Sequence, residues 1–501
     1  MSEGFLFPAD QSGKRSTLAG GKAVWAQAAR AVDPALADAI LAEKNWRMGY
    51  EKHIVQLMEA GAASPEAAIA IAEAGLGAIY GTFDFVRGNV TSSIPNAMAQ
   101  PSAEAALSTA SVKGSAPPSS KLVVPYDGKV LEGDALIAKL QVWSDVGAIE
   151  PAAAAAISGV ARGVPNLSGR VFVLLGATSA LGPLLSLLAY GATVVAVARP
   201  KPESWANLIA TARASAGTLV FPVGGGAPAA NASDEQLAQA AGADLMVAAP
   251  EILAWLKAAL PQLGGAPIVG MYTYLDSDAH VRVSIACDAI MRELAPPGSS
   301  TSLAYIQTPS LVYDLPKDAV DASQDNYRRS WLSLLGFAPN ARPAVAGTDP
   351  ARYVHDGLLS LQGPNYALAK TIQLWRAVLA RSRDGVRVSA NCAPPARTAS
   401  MVAGNNKNAG TVATGLNGMG YFRPMACFDQ ETVSACMTAL LVSDVHDPQA
   451  KANPATSLAH PYELFSHQAF HGGSFRVGIK PAQLAKLFYI SGKLLGPASA
   501  L

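Results

Sequence analysis

Residues 170–199 read RVFVLLGATSALGPLLSLLAYGATVVAVAR, and the way this stretch is punctuated decides the fold. Val171 to Leu175 is an unbroken apolar run, and Thr193 to Ala198 is a second one. No charged residue occurs from Val171 to Ala198, so a hydropathy window would flag a membrane span. Gly176, Gly182, Pro183 and Gly191 argue otherwise, because they cut the stretch into strand, turn, helix, turn and strand. A strand buried on both faces also reads as a continuous apolar run. The stretch is therefore a compact βαβ unit, and no membrane span is expected.

The same grammar continues downstream. Strand candidates are Thr218 to Val223, Leu245 to Ala248, Ser302 to Gln307 and Val386 to Ala390. Helical patterns fill the gaps at Asp234 to Ala241, Glu251 to Leu260, Val281 to Leu294 and Tyr366 to Arg381. Alternation of this kind implies an α/β fold with a doubly wound parallel sheet covered on both faces. Upstream, the chain to about Gln100 is Ala-rich with helical spacing. Ser64 and Pro65 stand where an N-cap and a first helical position would break Tyr50 to Tyr80 into two helices. Pro101 to Lys121, rich in Ser, Ala, Pro and Gly, reads as a linker or surface arm. Leu122 to Val124 is strand-like, and two more helical stretches run to Arg162, so residues 1–165 form a mostly α-helical N-terminal region.

Composition narrows the function. Half of the 501 residues are hydrophobic and 15% are charged, enough apolar material for a large core. With 38 basic and 37 acidic residues and no like-charge run, no nucleic-acid partner is expected, and a small molecule is the expected ligand. Cys287, Cys392, Cys427 and Cys436 form no CxxC pair and have no zinc-site spacing, so no metal is expected and buried reduced thiols are. Such thiols fit a reducing, cytoplasmic compartment. Lys14, Arg15, Lys22 and Arg30 leave an organellar address open.

Three motifs carry chemistry. The turn Gly176-Ala177-Thr178-Ser179-Ala180-Leu181-Gly182 follows a strand and opens a helix, where bare N–H groups and the helix dipole suit a pyrophosphate. Ala180 or Ser179 stands where a third glycine would be. Arg199 follows the second strand at the position where a carboxylate would bind the ribose of NAD; with Lys201 beside it and no acid before Glu203, it favours the 2′-phosphate of NADP. Tyr366 and Lys370 lie four apart on one helix, a spacing that lets an ammonium lower the pKa of a phenol for proton exchange with a carbonyl or alcohol.

Tyr366 to Ser400 reads YALAKTIQLWRAVLARSRDGVRVSANCAPPARTAS and resembles the short-chain dehydrogenase/reductase family, whose catalytic helix runs into a sixth strand and a Pro-Gly loop. The resemblance extends in consistent order over about residues 167–479. It implies an NAD(P)-binding Rossmann domain over 166–481, followed by a tail at 482–501. It assigns Tyr366 as catalytic acid, with Lys370 lowering its pKa and holding the ribose. Thr308, with Ser310 as the alternative, takes the place of the substrate-polarising Ser, and Ser284 falls where the family has a supporting Asn. Pro394 and Thr398 match the loop that contacts the nicotinamide, with Pro395 replacing the family's Gly. Ala248-Ala249-Pro250 replaces Asn-Ala-Gly, Gly224-Gly225-Gly226 stands in place of an Asp, and His471 with Gly472-Gly473 replaces Asp-Gly-Gly and reads as a structural turn. Between Thr308 and Tyr366 the chain is far longer than in the family, so an insertion at about 312–361 is expected to fold over the site as a lid or substrate wall. Asn405-Asn406-Lys407-Asn408 lies in the loop bordering substrate and reads as an exposed lid edge. The family also implies a homodimer paired through Val281–Leu294 and Tyr366–Arg381.

The expected function is an NADP-dependent oxidoreductase acting on a small, hydrophobic carbonyl or alcohol. The competing expectation, motivated by Ser284, Ala248-Ala249-Pro250 and the missing third glycine, is a catalytically inactive scaffold or dinucleotide sensor that presents its N-terminal helices to a partner.

Overall fold

A computed structural model describes residues 3–226, 228–229, 231–344, 351–398 and 409–501. Its centre is a seven-stranded sheet built from β1 (Ser108–Lys113), β2 (Val171–Leu175), β3 (Thr193–Val197), β4 (Thr218–Val223), β5 (Ile268–Met271), β6 (Ser302–Tyr305) and β7 (Val388–Ser389), in the order β7-β6-β5-β2-β3-β4-β1. The six strands from β2 to β7 pair in parallel, and β1 runs antiparallel to β4 at one edge. The chain starts the parallel part at the centre, steps outward through β3 and β4, crosses back, and steps outward the other way through β5, β6 and β7. The direction reverses between β2 and β5, where Leu175 is level with both Val197 and Met271. The uncharged stretch quoted above is thus strand, turn, the six-residue helix Leu184–Ala189 and strand. Among the described residues no helix is long and apolar enough to cross a membrane.

Side chains alternate across the sheet. Val171, Val173, Leu175, Val269 and Tyr305 pack in one layer, and Phe172, Leu174, Val194, Phe221 and Ala304 in the other. Helices α5 (Leu245–Leu263), α6 (Asp278–Leu294) and α7 (Pro364–Ser382) cover the first face. Helices α3 (Pro151–Arg162), α4 (Leu184–Ala189) and α8 (Gln430–His446) cover the second.

Several expectations are corrected. Leu245 to Ala248 is not a strand. It is the first turn of α5, started by Asp244, whose side chain accepts from the Met246 N–H. The fourth parallel strand is the short Ile268–Met271, so the residues that follow it are Tyr272 and Thr273, and Ala248-Ala249-Pro250 lies at a kink in α5, where Ala248 leaves helical geometry. The Pro101 to Lys121 stretch is more than a linker, since it supplies edge strand β1, which the Trp255 indole fastens by donating to Thr109 Oγ1 at 2.9 Å. The presumed tail contains the helix Pro481–Leu495, packed on Ala409–Met419.

The N-terminal region is mostly helical, with a three-stranded antiparallel sheet of Gly4–Leu6, Asp84–Arg87 and Val90–Ser93. The break at Ser64-Pro65 is as read, and Ser64 caps its helix by accepting from Ala67 N–H. Helices α1 (Thr17–Arg30) and α2 (Pro65–Thr82) lie across α7. Trp25 meets Trp375 edge-on at 5.5 Å, and a Cβ on Gly75 would stand 2.4 Å from the Trp375 ring. Nearly every α7 residue from Ala367 to Arg381 is buried as a result. The helices expected to pair two subunits, α6 and α7, are largely buried within the chain itself. Next to this junction the buried Asp288 of α6 takes both arms of Arg376 of α7, at 2.7 and 2.9 Å, and the Tyr80 hydroxyl at 2.8 Å.

Candidate active site

The site residues gather past the carboxyl ends of β6 and β7. β6 stops at Tyr305, and the chain turns through Ile306, Gln307 and Thr308 to the inserted segment. The Thr308 hydroxyl accepts from the Ser310 N–H at 3.3 Å, and the Thr308 carbonyl accepts from the Tyr313 hydroxyl at 2.6 Å. Tyr366, at the start of α7, brings its phenol to the Thr308 side chain. Lys370, one turn on, buries its ammonium and donates to the Ile306 carbonyl at 3.1 Å and to Gln373 Oε1 at 3.4 Å. Burial pushes the Lys370 amine down to about 8, opposed by nearby Cys392. The Tyr366 phenol is raised above its ordinary range, first by burial, with Thr308 pulling the other way and Tyr274 and Cys392 adding to the rise.

Two aromatic residues without a sequence signal, His280 and Tyr274, border this pair. The His280 ring lies 5.4 Å from that of Tyr366 and 5.1 Å from that of Tyr274, which in turn is 6.3 Å from Tyr366. His280 is fully buried, and burial together with the Lys370 charge pushes it down to about 3. Both its nitrogens, both polar atoms of the Gln307 amide, Ser284 Oγ, Tyr305 Oη and Gln373 Nε2 have no hydrogen-bond partner among the described residues. Buried polar groups are normally satisfied, and each unmet one costs about 1–3 kcal/mol. Such groups, set between the sheet end and helices α6 and α7, suit a polar guest. A lone histidine or glutamine carries no sequence signal for such a role.

The other expected residues spread along the same edge of the sheet. Gly176 has φ +88°, and a Cβ there would come within 3.0 Å of the Thr273 backbone N. Its N–H and that of Ala177 both donate to Val197 O at 3.0 Å. Thr178 and Ala180 are exposed, and Ser179, Leu181 and Gly182 are half-buried. The helix begins only at Leu184, and the Gly182 carbonyl accepts from Ser434 of α8 at 2.9 Å. Arg199 is exposed two residues past β3 and has no ion-pair partner among the described residues. Pro394 packs near the Gly472 turn, and Thr398 is buried just past the two-residue strand Ala396–Arg397. Asn405-Asn406-Lys407-Asn408 lies outside the described residues. Where β2, β5, β6 and β7 end, Leu181, Tyr272, Ile306, Asn391 and Met437 close in and leave about 10 Å³, room for the centre of one water.

The insertion is a wall fixed in place. Its strands Val312–Asp314, Ala341–Pro343 and Tyr353–Asp356 form an antiparallel sheet beside the helix Lys317–Arg329. The buried His355 bridges it to the site turn, with Nδ1 against Asn340 Oδ1 at 2.7 Å and Nε2 against Pro309 O at 3.0 Å. His471 is buried too, 2.8 Å from Glu150, which also pairs with Arg476, in keeping with a structural turn. The four cysteines are free thiols, three of them buried, and no cluster among the described residues could hold a metal.

No protein-family model matches the chain, and no curated protein matches it. Among solved structures, a Xanthomonas campestris protein provisionally described as a dehydrogenase is similar, with a TM-score of 0.28 and 16% identity over 59% of this chain and 97% of that chain.

Proposed function

We propose that this chain is an NADP-dependent oxidoreductase that interconverts a small, apolar carbonyl compound and its alcohol. The observation that carries the reading is the strand order. Counting only the parallel strands from β2, it is 3-2-1-4-5-6, the order of dinucleotide-binding Rossmann sheets, with Tyr366, Lys370 and Thr308 meeting beyond the carboxyl ends of the strands. In such sheets ligands lie at that end, across the reversal point.

The residues suit the phosphate half of the nucleotide. Arg199, exposed and without an ion pair among the described residues, offers its guanidinium for a 2′-phosphate. The polar groups of Ser284 and Gln307, unmet among the described residues, suit hydroxyls or bridging waters. A nicotinamide nucleotide, when bound, would supply or accept the hydride. Tyr366 would give the substrate oxygen its proton, Thr308 or Ser310 would donate a hydrogen bond to that oxygen, Lys370 would hold a ribose hydroxyl, and Pro394 and Thr398 would contact the nicotinamide. Tyr274, 51% exposed beside Tyr366, offers an apolar wall to substrate.

One observation favours the second reading, a scaffold that keeps the fold without the chemistry: the space past the strand ends, lined by Leu181, Tyr272, Ile306, Asn391 and Met437, holds no more than a water. Fluorescence titration of the purified protein with NADPH and NADH separates the two. The oxidoreductase reading expects micromolar NADPH binding, weakened about 10- to 100-fold in Arg199→Ala, the loss of one charge-assisted contact, and carbonyl reduction abolished in Tyr366→Phe. Absence of binding to either nucleotide supports the scaffold.

A further inference from the structure

The inserted segment carries an exposed apolar point that the reaction does not use. After the helix Lys317–Arg329 comes the single turn Trp331–Leu334. Leu332 alone is buried there, joining a small cluster with Met419, Leu484 and Phe488. Ser330 fixes the turn, its hydroxyl accepting from Leu332 N–H at 3.3 Å and its carbonyl from the Ser333 hydroxyl at 2.6 Å. The anchor sends the rest outward. Trp331 is 67% exposed, Leu334 87% and Leu335 64%. The other six tryptophans are all buried. Exposed single apolar residues are ordinary, but a Trp and two Leu on one fixed turn are not.

Charge flanks this point. Arg328 and Arg329 end the preceding helix and are exposed; Arg328 pairs with Asp325, and Arg329 has no ion pair among the described residues. The helix Pro481–Leu495 buries Leu484 and Phe488 in the cluster that holds Leu332. It exposes Ile490, Leu494 and Leu495 together with Lys486 and Lys493. No Asp or Glu side chain follows Glu463 in the sequence. Two elements rooted in one cluster thus expose the same combination, apolar side chains with lysine or arginine.

We infer that this face docks the protein peripherally on an anionic lipid surface. Trp at the headgroup level, Leu in the acyl boundary and basic residues against acidic headgroups are the chemistry of interfacial attachment. Basic side chains beside both exposed apolar sets favour an anionic lipid surface over a protein partner. The inference does not depend on the proposed reaction.

The full-length protein tests it directly, because Trp331 is the one tryptophan whose surroundings would change. Vesicles of equimolar phosphatidylcholine and phosphatidylglycerol should sediment the protein and shift its emission to the blue. Vesicles of phosphatidylcholine alone should do so weakly, and high salt should reverse the effect. Arg329→Gln should weaken sedimentation about fivefold. Trp331→Ser with Leu334→Ser should abolish it, and Trp331→Phe should keep binding while losing the shift. No sedimentation overturns the inference, as does binding that survives the double substitution. A blue shift that appears without vesicles and follows protein concentration in light scattering also overturns it, and makes the point a contact between copies of the chain.

Discussion

Asp288→Asn should cost the fold a large share of its stability. The carboxylate lies at the centre of a three-element junction, holding both arms of Arg376 and the Tyr80 hydroxyl, with Asp288 4% and Arg376 7% exposed. Asparagine keeps the shape and an acceptor for Tyr80 but strands a buried guanidinium without a counter-charge, a loss of about 3–5 kcal/mol. Whole domains are stable by only about 5–15 kcal/mol. Tyr80→Phe removes one hydrogen bond to a charged acceptor and should cost roughly 1.5–3 kcal/mol. The double change Asp288→Leu with Arg376→Met removes both charges and should be milder than Asp288→Asn, because no ion is left alone. Urea unfolding followed by far-UV circular dichroism and tryptophan emission measures all three, and the Trp25–Trp375 contact reports on the same junction. A loss below about 1 kcal/mol for Asp288→Asn, or a double variant no better than the single, would refute the reasoning that this pair locks α6, α7 and α2 together.

Two further outcomes follow from buried geometry. Asp444 accepts from Ser389 Oγ and Asn391 Nδ2, at 2.7 and 2.6 Å, yet burial raises it to about 6. The folded chain therefore holds this proton more tightly than the unfolded one, and stability falls as pH rises from about 4 to 6, by about 3 kcal/mol from this group. In Asp444→Asn the slope of urea midpoint against pH should flatten, with a residue left by Asp314, which burial also raises to about 6 beside Arg352. Gly75→Ala should destabilise: the new methyl would meet the Trp375 ring at 2.4–2.7 Å, and the roughly 1 kcal/mol gained in helix propensity is outweighed by about 1–3 kcal/mol of overpacking. A midpoint equal to or above wild type would sink that argument.

The parallel sheet was legible where apolar runs are bracketed by glycine, as at Val171–Leu175 and Thr193–Val197, because burial on both faces writes itself into composition. It was illegible at Ile268–Met271, four residues in which Gly270 dilutes the run, while Leu245 to Ala248 mimics a strand until Asp244 is seen as its cap. Edge strand Ser108–Lys113 buries only Ala110 and Val112, so its polar outer residues look like loop. The pair Tyr366 and Lys370 was legible because four-residue spacing is local. His280, Gln307 and Cys392 join it only through contacts between distant segments, which spacing does not encode.

The burial of α7 also limits how the cleft can open. One face of the helix packs on the sheet and the other on α1 and α2, through Trp375, Trp25 and Gly75, so Tyr366 and Lys370 are held from both sides. The insertion is bound to the site turn through His355 and Asn340, and Asn340 in turn donates to Ser474 O and Val477 O. The turn 176–183 is attached more lightly. Thr178 and Ala180 are exposed, and the helix behind it has only six residues, against nineteen in α7. The hydrogen bond from Ser434 to Gly182 O ties this turn to α8. Few buried contacts and exposed backbone mark the segments that open at least cost. On that reasoning the turn 176–183 moves away from α8 more readily than α7 or the insertion moves from the site turn.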